Sequence, residues 1–294
     1  KMKAIGIIVA GGNNNRMKEL TAKRAVPALP VAGSFRSIDF ALSSMSNSHI
    51  QTVAVLTQYN ARSLNEHLSS SKWWNFGRKQ GGLFLFTPTV TADNSDWYRG
   101  TADAMYQNID FLKRRHEPYV IISSGDCVYK LDFNRVLDFH IEKKSDITVV
   151  CKDMMYNDDV SRFGVVRMDD ESRITEFDEK PIEALSNTIS TGIYVIRRRQ
   201  LIELLEAAAE ENRFDFVNDI LVRYKNVKKI YGYKINSYWN NIADIDAYFK
   251  TNMDFLRPDV RSYFFREEPT ICSKVDDLPP AKFNPGSDIS NSLV

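Results

Sequence analysis

Four short apolar runs, separated by helical patterns, most constrain how this chain can fold. The runs are rich in β-branched residues and end at turn residues. They occupy residues 4–11, 52–58, 119–126 and 146–153. Such runs are typical of strands that are buried on both faces of a mostly parallel sheet. Between them, residues 37–48 and 101–115 repeat apolar positions with helical spacing. The alternation predicts a doubly wound α/β fold with ligands at the carboxyl ends of the strands.

The second half of the chain departs from this alternation. Residues 163–181 predict a hairpin that turns at 169–172. Residues 190–212 predict a strand followed by an amphipathic helix, and residues 244–256 predict another helix. From residue 257 the sequence becomes rich in proline and loses helical periodicity, which predicts an extended linker.

Composition excludes several classes of partner. Hydrophobic residues make up 43% and charged residues 26% of the chain, the profile of a soluble globular protein. A net charge of +1 gives no reason to expect nucleic acid or an anionic membrane as the main partner. No apolar stretch reaches the roughly 18 residues of a spanning helix, and no secretory signal pattern opens the chain. The three cysteines, Cys127, Cys151 and Cys272, lack metal-ligand spacing, so we expect reduced thiols and a cytoplasmic location.

A candidate phosphate-binding loop follows the first apolar run. The run ends at Gly11 and Gly12, and Arg16 follows shortly afterwards. Glycines allow backbone N–H groups to approach phosphate oxygens, a helix N-terminus adds partial positive charge, and an arginine can clamp the phosphates. A Gly-Gly turn after a strand is also a common structural turn, so this pattern alone leaves both interpretations open.

Longer stretches resemble the signature of sugar-1-phosphate nucleotidyltransferases, and more narrowly of glucose-1-phosphate adenylyltransferase, also called ADP-glucose pyrophosphorylase. The resemblance begins in residues 11–50 and continues in order along essentially the whole chain. Its further segments are LTQY (56–59), WNFG (74–77), WYRGTADAMYQN (97–108), SGDCVYKLDF (124–133), FGVVRMDD (163–170), FDEKP (177–181), STGIYVI (190–196) and YW (238–239). In that family ATP and glucose 1-phosphate form ADP-glucose and pyrophosphate for glycogen synthesis, with Mg²⁺ as the expected cofactor.

The resemblance also implies a domain organisation. The family places a left-handed β-helix after its nucleotidyltransferase domain. We therefore expect residues 1–256 to form the nucleotidyltransferase domain. Residues 257–294 would be a linker and the first residues of a truncated β-helix domain. The family also implies a tetramer, built from one kind of subunit or from two.

The sugar-phosphate side of the implied site looks complete. The residues at the family's glucose 1-phosphate positions are Tyr98, Gly164, Glu179, Lys180 and Ser190. Lys180 would supply a point charge to the phosphate, Glu179 would accept hydrogen bonds from sugar hydroxyls, and Gly164 would permit close approach. Taken alone, the Glu-Lys-Pro sequence is equally a solvated turn before a proline.

The implied nucleotide contacts lie near the loop and at the start of a predicted helix. They are Gly11, Gly12, Gln58, Gly100 and Thr101. Thr101 is also predicted to cap that helix. Arg16 and Asp126 match catalytic positions of the family, and Asp126 matches its metal-binding aspartate.

Three positions depart from the family pattern. Asn14 stands where the phosphate loop has a third glycine, Val26 where the family has a lysine, and Asn241 where a second metal-binding aspartate belongs. Asn tolerates a positive φ, so the turn can survive. Valine removes a phosphate counter-charge, and asparagine is a weaker Mg²⁺ ligand than a carboxylate.

All three changes affect the handling of ATP phosphates and Mg²⁺. Removing one such contact costs about 2–4 kcal/mol, so even non-additive losses predict a rate at least about a thousandfold lower. The chain is therefore most similar to the modulatory, non-catalytic second subunit of the bacterial enzyme. Its expected partner is the catalytic subunit, and its expected ligands are glucose 1-phosphate with ATP or ADP-glucose.

Three alternatives stay open at the level of sequence. One is a self-sufficient enzyme in which Asp244 replaces the metal ligand and Lys23 or Arg24 replaces the missing lysine. Another is a pyrophosphorylase for a different nucleotide or sugar. The last is a scaffold that binds no ligand.

A basic cluster suggests regulation. Lys23 stands where catalytic relatives place an activator-contacting lysine, and with Arg24 and Arg36 it could bind a sugar-phosphate or nucleotide effector. A solvated basic loop explains the same residues equally well.

Overall fold

The computed structural model describes residues 4–12, 15–77, 81–90 and 97–293. Asn14, at the position of the third loop glycine, lies outside these ranges. The strands are β1 Ala4–Val9, β2 Pro30–Val31, β3 Phe35–Arg36, β4 Thr52–Leu56, β5 Gly82–Phe86, β6 Tyr119–Ser124, β7 Cys127–Tyr129, β8 Ile147–Asp153, β9 Gly164–Met168, β10 Ile174–Glu179, β11 Thr188–Arg197, β12 Ile230–Lys234 and β13 Trp239–Asn241. The helices are α1 Ser37–Asn47, α2 Arg62–His67, α3 Thr101–Gln107, α4 Ile109–Lys113, α5 Phe133–Glu142, α6 Arg198–Glu210, α7 Ile245–Asp254 and α8 Pro258–Phe265. Short 3₁₀ helices occupy Asn15–Thr21, Val26–Ala28 and Ser71–Trp74, and a π-helical turn occupies Val217–Val222.

A nine-stranded sheet organises the fold. Its main path runs β10-β9-β11-β6-β1-β4-β5, and β8 joins β11 to β12. Strands β5, β4, β1 and β6 are mutually parallel. Strand β11 is antiparallel to β6, β8 and β9; β12 is parallel to β8, and β10 is antiparallel to β9. Seven of the nine strands therefore run in one direction and β10 and β11 oppose them, which confirms the mostly parallel α/β prediction.

Alternating burial along β1 shows how the sheet holds a layer on each face. Ile8 packs into the apolar cluster that contains α1, whereas Ile5 and Ile7 pack into the cluster that contains α3 and α6. Gly6 points towards α1, where an added Cβ would lie 2.3 Å from the sulfur of Met45. The strand is thus buried on both sides, as its continuous apolar sequence predicts.

The second half follows the predicted hairpin and strand–helix order. Strands β9 and β10 pair antiparallel around the turn at Asp169–Ser172, and β11 leads directly into α6. The predicted helix over 101–115 is instead two helices that are interrupted at Asn108. The Asn108 side chain donates hydrogen bonds to the Ala104 carbonyl and to the Tyr98 hydroxyl, at 2.8 and 3.0 Å. This competition with the backbone explains the break.

Part of the predicted linker, 257–294, is helical. Pro258 occupies the first turn of α8, where the missing N–H is tolerated. Val260 and Phe264, four residues apart, are buried in the core. The extended linker thus begins only after α8, and residues 266–293 contain no helix or strand. The domain boundary and the β-helix stay predictions. Within the described ranges, no helix is both long and apolar enough to cross a membrane.

Buried His140 on α5 makes stability depend on pH. Its Nδ1 lies 2.8 Å from the Thr148 hydroxyl, and its ring packs edge-on against Tyr119. Burial, reinforced by the charge of Arg197 and opposed by Asp146, lowers the pKa of His140 from 6.5 to about 4. The unfolded chain therefore binds a proton between these values while the folded chain does not, so stability falls as pH falls through this window.

We expect this single group to remove roughly 2 kcal/mol of unfolding free energy between pH 7 and 5. The His140→Gln variant should lack that loss, as measured by urea unfolding at both values. His116→Gln, at an exposed position, is the matched control and should retain it. An equal pH dependence in both variants would contradict this assignment.

Candidate functional site

The site begins where the sheet changes winding direction. Strand β1 lies between β4 and β6, and ligands bind at the carboxyl ends of such strands. Beyond β1, an added Cβ on Gly11 would lie 3.1 Å from the Gln58 Cβ. Gly12 would have no atom within 4 Å of a Cβ and borders open space. Gly11 therefore allows the chain to pack closely against Gln58, and Gly12 leaves space in the wall of the cavity.

A cavity of about 520 Å³ opens at this edge. The residues with predicted roles that line it are Gly12, Arg16, Val26, Asp126, Lys180 and Asn241. A neighbouring cavity of about 640 Å³ shares Arg16, Arg162, Phe163 and Asn241 as walls. Lys23 and Arg24 line neither cavity, so a replacement of the missing lysine by one of them stays a prediction.

Val26 forms an apolar part of the cavity wall. It begins the short 3₁₀ helix Val26–Ala28 and belongs to a buried cluster with Met17 and Phe40. Met17 lies in the same 3₁₀ segment as Arg16, and its burial anchors that segment beside the cavity. Buried Met17 thus holds Arg16 in the lining of the cavity. Val26, which precedes Pro27 in the same lining, brings no charge.

Two distant parts of the chain meet at Asp126. Strand β13 pairs antiparallel with β7, so that Asn241 lies opposite Cys127, and the Ile242 N–H donates to the Asp126 carbonyl at 2.9 Å. The Ser124 hydroxyl donates to the Asp126 carboxylate. Burial, followed by the charge of Asp126, raises the pKa of the Cys127 thiol well above its usual range, so the thiol stays protonated.

Asn241 is oriented by its neighbours. Its amide oxygen accepts a hydrogen bond from the Ala243 N–H at 3.0 Å, and its amide nitrogen lies 3.4 Å from the Cys127 sulfur. The oxygen that could ligate a metal therefore accepts a backbone hydrogen bond, and the amide nitrogen faces the Cys127 sulfur.

Asp244 is engaged as well. One carboxylate oxygen caps α7 by accepting from the Ala247 N–H at 2.8 Å, and the other forms an ion pair with Arg162. Among the described residues, no group of three His, Cys, Asp or Glu side chains is arranged to hold a metal. The donor set around Asp126 does not fit a magnesium site with two carboxylates.

Arg162 is a site residue that the sequence did not reveal. It precedes β9 in a turn in which the Phe163 N–H donates to the Val160 carbonyl at 3.0 Å. The Phe163 ring packs edge-on against Trp239 of β13, and the Arg162 guanidinium lies 4.8 Å from the centre of the Phe163 ring. Its position just before the FGVVRMDD segment was the only indication available in the sequence.

Arg162 is a half-buried cation among other charges. Burial lowers its pKa, the charge of Arg16 lowers it further, and Asp126 and Asp159 oppose this effect. These influences show that two arginines and the carboxylate of Asp126 lie within electrostatic reach of one another.

The sugar-phosphate residues meet on the β9–β10 hairpin. Gly164 pairs with Glu179, and a Cβ on Gly164 would lie 2.9 Å from a Glu179 carboxylate oxygen. Lys180 has a left-handed φ of 51°, and its N–H donates to the Phe163 carbonyl at 3.0 Å. The Lys180 ammonium lies 3.5 Å from Glu179. The hairpin end thus presents a carboxylate and an ammonium side by side.

Several polar side chains, some of them buried, lie near Glu179. Burial raises the pKa of Glu179, with Lys180 opposing and Asp215 adding to the shift. The Ser190 hydroxyl lies 3.2 Å from the Tyr194 hydroxyl, and both residues are buried. Burial also raises the pKa of Tyr194, to which the charges of Glu179 and Asp215 contribute. Asp215 and Tyr194 were not predicted; only the fold brings them to Glu179.

Tyr98 and the α3 terminus form a separate wall. The Tyr98 N–H donates to the Gln58 side chain at 2.6 Å. The prediction that Thr101 caps its helix is wrong: Gly100 is the N-cap, and the Thr101 hydroxyl accepts from the Phe216 N–H at 2.9 Å. An added Cβ on Gly100 would lie 2.4 Å from the Phe214 carbonyl oxygen, so backbone contact dictates that glycine.

The predicted effector residues are partly structural. The Arg36 guanidinium donates to the Ser63 hydroxyl at 2.8 Å and to the Ala28 carbonyl at 3.3 Å. Burial and then the charge of Arg24 lower the pKa of Arg36, which indicates that these two cations are neighbours. The side chains of Lys23 and Arg24 are exposed.

Comparison with known proteins agrees with this architecture. The nucleotidyl transferase family model matches residues 5–257. Glucose-1-phosphate adenylyltransferase of Clostridium novyi (strain NT) is 37% identical over 100% of this chain and 78% of the relative. The adenylyltransferases of Clostridium acetobutylicum and Pseudothermotoga lettingae are each 38% identical, over 100% and 99% of this chain and 78% and 70% of their own lengths. The chain therefore belongs to the nucleotidyl transferase family and, within it, to the glucose-1-phosphate adenylyltransferases.

Proposed function

We propose that this chain is a regulatory subunit of ADP-glucose pyrophosphorylase in glycogen biosynthesis, with little catalysis of its own. The complete enzyme would be a cytoplasmic tetramer that joins ATP and glucose 1-phosphate into ADP-glucose and pyrophosphate. This chain would bind glucose 1-phosphate and ATP or ADP-glucose and act on a catalytic partner subunit. The names of the relatives support the reaction, and the altered cavity supports the modulatory role.

One observation carries the modulatory role. Among the described residues that line the 520 Å³ cavity, Asp126 is the only carboxylate. In-line attack on the α-phosphorus depends on positioning and on neutralising the phosphate charges. A single carboxylate beside an engaged Asn241 is a poor Mg²⁺ site, and Val26 contributes no counter-charge.

The sugar-phosphate side supports retained binding. Lys180 lines the cavity while Glu179, Gly164 and Ser190 lie on the adjoining hairpin and strand. Glu179 can accept hydrogen bonds from sugar hydroxyls, and the Lys180 ammonium can pair with the phosphate. Ligand binding without efficient turnover is what a modulatory subunit requires.

The self-sufficient enzyme is the less favoured function. It requires Asp244 as a metal ligand, but that carboxylate caps α7 and pairs with Arg162. No feature of the cavity favours another nucleotide or sugar over ATP and glucose 1-phosphate. Regulation through an effector anion at Lys23, Arg24 and Arg36 remains part of the proposal, supported by the electrostatic effect of Arg24 on the pKa of Arg36.

Turnover by the purified chain tests the proposal. With ATP and glucose 1-phosphate, the chain alone should be at least about a thousandfold slower than the catalytic subunit, because phosphate and metal contacts are missing. Mixing the two subunits should change the kcat or the effector response of the catalytic subunit, measured by pyrophosphate release. Turnover by this chain alone at the rate of the catalytic subunit would overturn the proposal.

Restoring the family residues provides an independent test. The triple variant Asn14→Gly, Val26→Lys and Asn241→Asp should raise the kcat of the chain at least about tenfold, since it returns a counter-charge and a second carboxylate. The control carries the same charges at exposed positions, Val90→Lys and Asn134→Asp. A triple variant no faster than this control would show that other residues limit turnover.

A further inference from the structure

We propose that the cavity beside Asp126 binds the polyphosphate of a nucleotide or pyrophosphate without a divalent metal, and that Arg162 is the residue that makes this possible. The inference rests on the proposed function, because it concerns the same cavity, and it names the charge that replaces the metal. It accounts for a site that has three cationic side chains in its lining, although Val26 replaces the family's lysine, and that lacks a fitting set of metal ligands.

The charge balance of the cavity carries the first step. Its described lining contains three fixed cations, Arg16, Arg162 and Lys180, against the single carboxylate of Asp126. Arg162 and Lys180 are paired with Asp244 and Glu179, which lie outside this lining. A polyphosphate that displaces these two carboxylates meets three cations and one carboxylate, a balance that favours the uncomplexed polyphosphate and disfavours a free divalent cation. Arginine can also donate two parallel hydrogen bonds to phosphate oxygens, which a point charge cannot.

The placement of Arg162 carries the second step. Its turn is fixed to the strand of Asn241 through the contact between Phe163 and Trp239. The same turn supplies the carbonyl that accepts from the Lys180 N–H. Two of the three cations are therefore held by one local structure, and Arg162 borders both cavities.

Asp244 carries the third step. It pairs with the Arg162 guanidinium, and side-chain exposures of 24% and 26% leave both groups accessible to a ligand. Phosphate oxygens would compete with this carboxylate for the guanidinium. Because Asp244 also caps α7, the start of that helix is coupled to the occupant of the cavity.

Calorimetric titration of the full chain with ATP and with inorganic pyrophosphate, each in Mg²⁺ and in EDTA, tests the inference. The Kd in EDTA should be equal to or lower than the Kd in Mg²⁺. In EDTA, Arg162→Gln should raise the Kd at least about tenfold, because a charge-assisted contact to phosphate is lost. Arg162→Lys, which keeps the charge but not the fork, should give an intermediate value.

Two variants sharpen the outcome. Arg167→Gln is the matched control. Arg167 lies in the same hairpin, is exposed and pairs with Glu176, so this variant should bind ATP and pyrophosphate like the wild type. Asp244→Asn keeps a capping side chain and should lower the Kd in EDTA at least about twofold, since the competing carboxylate is removed. A metal-ligand role of Asp244 predicts the opposite, a higher Kd in Mg²⁺.

Thermal unfolding of each variant separates loss of contact from loss of fold. If Arg162→Gln does not fold, the Kd values of Arg162→Lys and Asp244→Asn in EDTA test the role of Arg162. Binding that requires Mg²⁺, equal Kd values for Arg162→Gln and Arg167→Gln, or no binding of either probe would each overturn the inference. Turnover is measured separately: a chain that is fully active alone refutes the proposed function, whereas the Mg²⁺ dependence of binding refutes only the metal-free site.

Discussion

The pairing of β7 with β13 is the interaction on which the site depends. Each strand has only three residues, yet their ladder joins Asp126 to Asn241 across more than a third of the chain. The hydrogen bond from the Ile242 N–H to the Asp126 carbonyl extends the ladder to the edge of the cavity. The backbone N–H that engages Asn241 and the cap of α7 follow directly after this ladder in the chain.

The same ladder determines where the arginine lies. Trp239 is the first residue of β13, and its ring supports Phe163 and hence the turn that carries Arg162. The ion pair between Arg162 and Asp244 then joins this turn to the start of α7, which follows β13 in the chain. A substitution in β13 is therefore expected to shift three features together: the side chain of Asn241, the side chain of Arg162 and the first turn of α7.

Much of the scaffold was accessible from the sequence because its physical signals are local. Buried strands leave continuous apolar runs, and a residue that follows such a strand, as Asp126 follows β6, is expected at the ligand edge. The resemblance then located Asn241 as its partner. Arg162, Asp215 and Tyr194 were missed because their relation to the site arises from tertiary contacts. The role of Thr101 was misassigned because its hydroxyl serves the Phe216 N–H, a partner that is distant in sequence.

The substitutions at Val26 and Asn241 are best understood as a pair. Relative to the family pattern, one removes a positive charge and the other removes a negative charge, so the net charge of the cavity is unchanged. Loss of the lysine alone would leave two carboxylates less compensated, and loss of the aspartate alone would leave a cation without its partner; buried unpaired charge is costly. Paired loss lets the fold persist, since Val26 joins an apolar cluster and Asn241 satisfies a backbone N–H. Under the proposed function, the chemistry would not share this compensation, because the amide oxygen of Asn241 is a weaker Mg²⁺ ligand than the carboxylate of the family pattern. Under the proposed function, a cavity altered in this way would keep its shape and its affinity for anions while turnover is low.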